Sequence, residues 1–288
     1  MSRTPPDSRG TWSTPVGRAI EAIGETTLEG VASAAGLVRF AGGSVCLAGD
    51  ALRWVLRAAF RRDVRFGWSN LWFQMVRVGI RSVSIVVLVQ VFIGVILALQ
   101  MAPTLEEYGQ IQRVADVVGI AIFRELGPLL SGIVLSGFAG ASIAAELGTM
   151  VEGEEIKALR ATALNPVRYL VVPRFIATVV MLTMLTVIAD VVGVFGGLLT
   201  ASLVLGIDSS QYLASTQAAV STTDFVTGLA KAAVFGVMIS IIASYEGLNV
   251  TGGAEGVGRA ATATVVKCIV ALILADVVFT VVFYAFEL

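Results

Sequence analysis

The side chains of this 288-residue chain that could do chemistry are mostly charges set in apolar sequence. Arg124 and Glu125 open the run Arg124-Glu125-Leu126-Gly127-Pro128 inside a hydrophobic stretch, and Glu146, Asp190, Lys231, Lys267 and Asp276 lie in comparable surroundings. A charge at the centre of a membrane span costs about 2.5 kcal/mol or more, so it marks a pathway, a partner or a snorkelling end. The chemistry on offer is ion pairing and recognition of a polar headgroup. Successive positions on a helix point about 100° apart, so Arg124 and Glu125 need not pair with each other. Pro128 lacks the N–H that would bond back to Arg124. The expectation is a kinked polar site in which Arg124, Glu125 and Leu126 meet apolar wall residues such as Val91 and Leu97.

Catalytic chemistry finds no comparable footing. There is no histidine, and Cys46 and Cys268 are too far apart in sequence for a CxxC pair, so no metal or cofactor is expected. The dipeptide Gly-Lys does not occur, which excludes a G-x-x-x-x-G-K-[ST] phosphate loop. Gly252, Gly253, Gly256 and Gly258 follow no strand and run into the hydrophobic stretch opened by Arg259, so they read as a flexible turn. Neither G-x-S-x-G nor H-E-x-x-H appears. Twenty Lys plus Arg against twenty-one Asp plus Glu leave a net charge of -1, with no basic bias toward nucleic acid. Enzyme chemistry therefore has no visible seat in the chain.

The elements that must position these charges are transmembrane helices. Hydrophobic residues make up 56% of the chain and charged ones 14%, too little charge for a soluble shell of this size. Residues 83–100 alone give eighteen positions without a charge. About twenty apolar residues cross the hydrocarbon layer. Five segments qualify, approximately Ser82–Met101, Val114–Met150, Phe175–Leu205, Phe225–Tyr245 and Ala260–Phe286. The expected fold is therefore an all-α integral membrane protein, with residues 82–288 as a five-helix domain.

Ahead of it, residues 1–16 carry Pro5, Pro6 and Pro15 and read as a disordered cytoplasmic tail without a secretory signal. Residues 17–81 read as cytoplasmic and interfacial helices. Within them Arg53, Arg57 and Arg61 lie opposite Leu52, Val55, Leu56, Ala59 and Phe60, and Trp68, Trp72, Arg77 and Arg81 continue the pattern of a segment in the headgroup layer. Orientation follows from the flanking cations. Eleven arginines precede residue 82 and four cations (Lys157, Arg160, Arg168, Arg174) lie in 151–174, whereas 103–113 holds only Arg113 and 206–224 none. That places the N-terminus, 151–174 and 246–259 in the cytoplasm of an inner-membrane protein, and the C-terminus outside.

Two further features concern packing and docking. Gly137, Gly140, Ala141, Ala144 and Gly148, and again Gly193, Gly196 and Gly197, form small-residue faces that suit close helix packing or a dimer seam. In the 151–174 connection, Glu154 and Glu155 precede Ile156, Lys157 and Leu159. Acidic residues suit a helix N-terminus, and Ile156 and Leu159 make a small apolar ridge. A short helix near 152–164, bounded by prolines and parallel to the membrane, is an exposed docking element.

The runs RELGP at 124–128, AELGTM at 145–150, EEIKAL at 154–159 and NPVRYLVVPRF at 165–175 together resemble the MlaE (YrbE-like) permeases of MCE-associated lipid-transporting ABC systems. The resemblance covers about residues 65–288. It implies a homodimeric permease with an interfacial N-terminal helix and a phospholipid cavity near Arg124 and Glu125. It also implies an ABC ATPase subunit docked on Glu154, Glu155, Ile156, Lys157 and Leu159, and an outward MCE-domain protein. Phe138 and Lys157 depart from the arginine and aspartate common there. Two other readings compete: an ion-coupled carrier using Glu146, Asp190 and Asp276 as relays, and a membrane scaffold that transports nothing.

Overall fold

The computed structural model describes residues 35–36, 38–57 and 68–286. The readings for residues 1–34, and for Ala59, Phe60, Arg61 and Arg65, lie outside the described residues. Among those described there are helices and no strand. The chain divides into two compact units, residues 1–46 and 47–288. In the first, residues 35–36 and 38–46 are helical; in the second, residues 47–57 form a helix, α1. In the second unit Ala51 of α1 is buried with Val171, Phe175 and Ile241. The Arg57 and Arg168 guanidinium groups lie 5.3 and 5.4 Å from the centre of the Trp54 ring.

Five long apolar helices follow: α2 (Ser69–Glu107), α3 (Ile111–Glu152), α5 (Val167–Leu203), α7 (Thr222–Leu248) and α8 (Gly253–Ala285). The short α4 (Glu155–Ala161) joins α3 to α5, and α6 (Ser209–Ala219) joins α5 to α7. Even the shortest of the five has 27 residues, more than the roughly twenty that a bilayer core requires. Their outer faces carry bare side chains such as Phe92, Ile96, Leu99, Val270 and Leu274, which suits contact with lipid tails. The helix that holds the first expected span begins thirteen residues ahead of it, at Ser69. Arg77, in a π-helical turn of this helix at Val76–Ile80, pairs with Glu146 of α3.

Glycine sets the closest approaches. A Cβ at Gly94 of α2 would overlap the Gly193 carbonyl of α5, and one at Gly196 would overlap the Val91 carbonyl. The face of Gly137 to Gly148 is also used within this chain, since Gly247 of α7 lies on the backbone of Ala144.

The second span is irregular just ahead of Pro128, where the sequence predicts a kink, and again at a second place that it does not predict. Ile122–Leu126 and Ser136–Gly140 are π-helical turns. The first runs directly into Gly127 and Pro128. The disruption at Pro128 thus takes the form of a wider turn that absorbs the missing N–H, and it re-aims the side chains just ahead of it.

Candidate functional site

The π turn of α3 sends Arg124 and Glu125 to different partners. Arg124 Nε lies 3.1 Å from Asp224 Oδ1 at the start of α7. Asp224 is held there by its own backbone. Its Oδ2 accepts from the Ser221 N–H at 2.9 Å, while its N–H donates to Ser221 Oγ at 3.1 Å, a reciprocal cap. One carboxylate thereby starts a helix and anchors an arginine of another.

Glu125 turns toward the bundle. Its Oε2 accepts from Lys231 Nζ at 2.6 Å, and Nζ also lies 3.1 Å from Asp276 Oδ1 of α8. Thr280 Oγ1 of α8 is 3.1 Å from Glu125 Oε1. Lys231 is wholly buried, with the Phe283 ring centre 5.8 Å from its ammonium. A buried lysine is tolerated because two carboxylates surround it.

Beside this network lies a cavity of about 530 Å³, lined by Arg124, Glu125, Ser221, Thr223, Thr280, Phe283 and Tyr284. Charged and hydroxyl groups form one part of its wall and two aromatic rings another. That is the chemistry of a site for an amphiphile, and the volume falls in the range of small-molecule pockets. Of the five residues expected around a cavity, Arg124 and Glu125 meet here. The other three lie elsewhere: the Leu126 carbonyl accepts from Gln90 Nε2 at 3.2 Å, Leu97 packs on Ala98, Ala102, Val114, Val118 and Ile122, and the Val91 backbone abuts Gly196. Asp224 escaped notice in the sequence, although Ser221 three residues ahead of it is a capping-box spacing.

The α4 end is built differently. Ile156 is buried with Ile143, Leu147, Leu170 and Ala243, and Leu159 packs against that cluster. The ridge expected to face a partner is instead the anchor that fastens α4 to α3, α5 and α7, because an apolar pair on a seven-residue helix is best satisfied by the nearby core. What α4 presents is polar: Glu154, Glu155, Lys157 and Arg160 are exposed. Glu154 adopts φ 58°, the left-handed conformation, and its Oε1 accepts from Lys157 Nζ at 2.6 Å. The hydrogen bond and charge of Lys157 hold the Glu154 carboxyl below its ordinary pKa. Next to α4 is an open groove of about 470 Å³ lined by Ile156, Arg160, Leu164, Asn165, Pro166 and Leu248, among others.

At the same end Glu146 of α3 bridges two neighbours. Arg77 Nη1 of α2 donates to its Oε1 at 2.6 Å, and Arg174 Nη2 of α5, itself 3% exposed, lies 3.1 Å from its Oε2. Arg77 Nη2 also donates to Ser142 Oγ at 3.2 Å. Phe138 borders the small void beside this clamp together with Gln74, Arg77 and Arg81. Lys267 of α8 similarly donates to Glu246 of α7 at 2.7 Å.

Residues 71–282 match a family model described as Permease MlaE. A probable ABC transporter permease protein of Rickettsia typhi is 39% identical over 207 residues, covering 72% of this chain and 80% of that protein. One of Synechocystis is 37% identical over 212 residues, 74% of this chain and 81% of its own. The chloroplastic protein TRIGALACTOSYLDIACYLGLYCEROL 1 of Arabidopsis thaliana is 34% identical over 217 residues, 75% of this chain and 62% of its own.

Proposed function

The chain belongs to the MlaE permease family, and from that premise we propose that it is the membrane subunit through which an ABC transporter moves a phospholipid or similar lipid. The observation that carries this reading is the cavity beside Arg124 and Glu125. Its wall offers a cation and hydroxyl groups for a phosphate-bearing headgroup and the Phe283 and Tyr284 rings for the start of the acyl chains. The plant relative's name, that of a galactolipid, favours a lipid cargo as well.

Lipid movement needs work, and this chain has no phosphate loop of its own. In the proposed assembly a separate ATPase supplies it by docking on the exposed polar face of α4, with Glu154, Glu155, Lys157 and Arg160 as the contact and the adjoining groove as a socket. Ile156 and Leu159 transmit that push, because they bind α4 to three spans at once. A second copy of the chain completes the permease, and an MCE-type protein takes or delivers lipid at the opposite face. The α4 end is cytoplasmic and the C-terminus lies outside the inner membrane, as the cation asymmetry of the connections favours.

The test is ATP-driven transfer of a fluorescent phosphatidylglycerol by the permease–ATPase complex in vesicles of phosphatidylethanolamine and phosphatidylglycerol. Arg124→Ala is expected to slow transfer about tenfold, the effect of one lost charge-assisted contact. Glu154→Lys with Glu155→Lys is expected to release the ATPase and abolish transfer. Unchanged transfer in both variants would overturn the proposal.

A further inference from the structure

Three buried polar groups in the middle of the bundle take no part in the networks described above. Asp190 of α5 is 1% exposed, and neither of its carboxyl oxygens has a hydrogen-bond partner. Gln90 of α2 is equally buried; its Nε2 donates to the Leu126 carbonyl while its Oε1 is unpartnered. Ser131, one turn beyond Gly127 on α3, is 1% exposed with an unpartnered Oγ. Unpaired polar atoms at apolar depth cost about 1–3 kcal/mol each, so two spans keeping them against the same turn of a third calls for a reason.

Their location supplies it. A Cβ at Gly127 would overlap Asp190 Oδ1 and would lie 3.0 Å from the Ile122 carbonyl, so the carboxyl group sits against Gly127, the residue that closes the π turn. Gln90 holds the same turn from the other side at Leu126. Gly193, one turn along α5 from Asp190, is 3.6 Å by its would-be Cβ from Gln90 Oε1, so α2 and α5 present the two groups together. Only glycine at 127 admits this approach.

We infer that Asp190 and Gln90 are positioning residues: they latch the Ile122–Leu126 π turn, and so fix the directions in which Arg124 and Glu125 leave α3. A π turn is less stable than the α-helix it interrupts and persists where its surroundings hold it. Relaxation to α-helical register would rotate Arg124 and Glu125 by roughly 100° relative to the helix beyond them, away from Asp224 and Lys231 together. Among the described residues Asp190 enters no ion pair and its carboxyl oxygens accept no hydrogen bond, so its part is shape, for which an amide of the same outline suffices.

The inference rests on the proposed lipid site for its functional meaning, and the experiment reads the two separately. Backbone hydrogen–deuterium exchange at residues 122–127 is measured in the detergent-purified chain, and transfer of the fluorescent phosphatidylglycerol in the vesicle assay. Asp190→Ala and Gln90→Leu are expected to raise exchange in that turn and slow transfer about tenfold, a scale set by small misplacements of binding groups. Asp190→Asn is expected to match the wild type in both. Asp190→Ala placed on Arg124→Ala should slow transfer little further, since both act through one turn. Unaltered exchange in Asp190→Ala and Gln90→Leu, or Asp190→Asn behaving as Asp190→Ala, overturns the latch. Raised exchange with unaltered transfer in every variant, Arg124→Ala included, leaves the latch standing and removes the lipid reading of Arg124.

Discussion

The bundle carries an interhelical charge network toward each end, and the two differ in what lies beside them. Around Glu146, two arginines from α2 and α5 converge on one carboxylate, and the void next to them measures about 50 Å³. Around Lys231, Arg124 and Glu125 reach α7 and α8, and a cavity of about 530 Å³ opens next to them. The first arrangement is a strut: every charge is spent on another helix, and no space is left for a ligand. The second uses the same kind of bond but leaves Arg124 and Glu125 partly on a cavity wall, where, on the proposed function, an incoming headgroup would compete for them. Charge within a span is therefore not enough to propose a binding site; room beside it is needed as well.

Removing charges from each network sharpens that contrast. The largest loss is expected for Lys231→Ala, which leaves Glu125 and Asp276 facing each other around a buried gap. About 3–5 kcal/mol should disappear from unfolding of the purified chain in detergent–denaturant titrations. Glu146→Ala should cost less, about 2–3 kcal/mol, because Arg174 is left unpaired and buried while part of Glu146 was already wet. A Glu146→Ala loss equal to or above that of Lys231→Ala would reverse the ranking of the two networks. Asp224→Asn removes a charge but keeps the helix cap, so a loss near 1 kcal/mol is expected in the same titration. At the far end of the scale, Glu154→Lys with Glu155→Lys should leave the unfolding midpoint where it was, since both side chains are exposed, while the ATPase no longer co-purifies. A shifted midpoint would show that the polar face of α4 is part of the fold.

These residues also show how far the sequence carries. The five spans are legible because long stretches with few or no charges, such as the eighteen residues 83–100, permit little else, and Arg124-Glu125 is legible because charge in such a run is conspicuous. The direction of each side chain is not, since it depends on a π turn whose holding groups, Gln90 and Asp190, come from helices on either side in the chain. Partners are equally hidden. Asp224 lies a hundred residues beyond Arg124 and reads locally as a helix cap; Lys231 reads as a charge that could sit near a surface until Glu125 and Asp276 close around it. The ridge of Ile156 and Leu159 was visible as a ridge, but a pattern on one short helix does not say whether it faces a partner or the protein's own core. The partner of Arg77 is hidden in the same way, since nothing local in the sequence ties it to Glu146 of α3.

The distinction between strut and site is tested most directly by native mass spectrometry of lipid retained by the detergent-purified chain, comparing Arg124→Ala with Arg77→Ala. Each variant removes one arginine from one network. The account predicts that Arg124→Ala loses most of its bound lipid and Arg77→Ala keeps it. Full lipid retention in Arg124→Ala, or loss confined to Arg77→Ala, would contradict it.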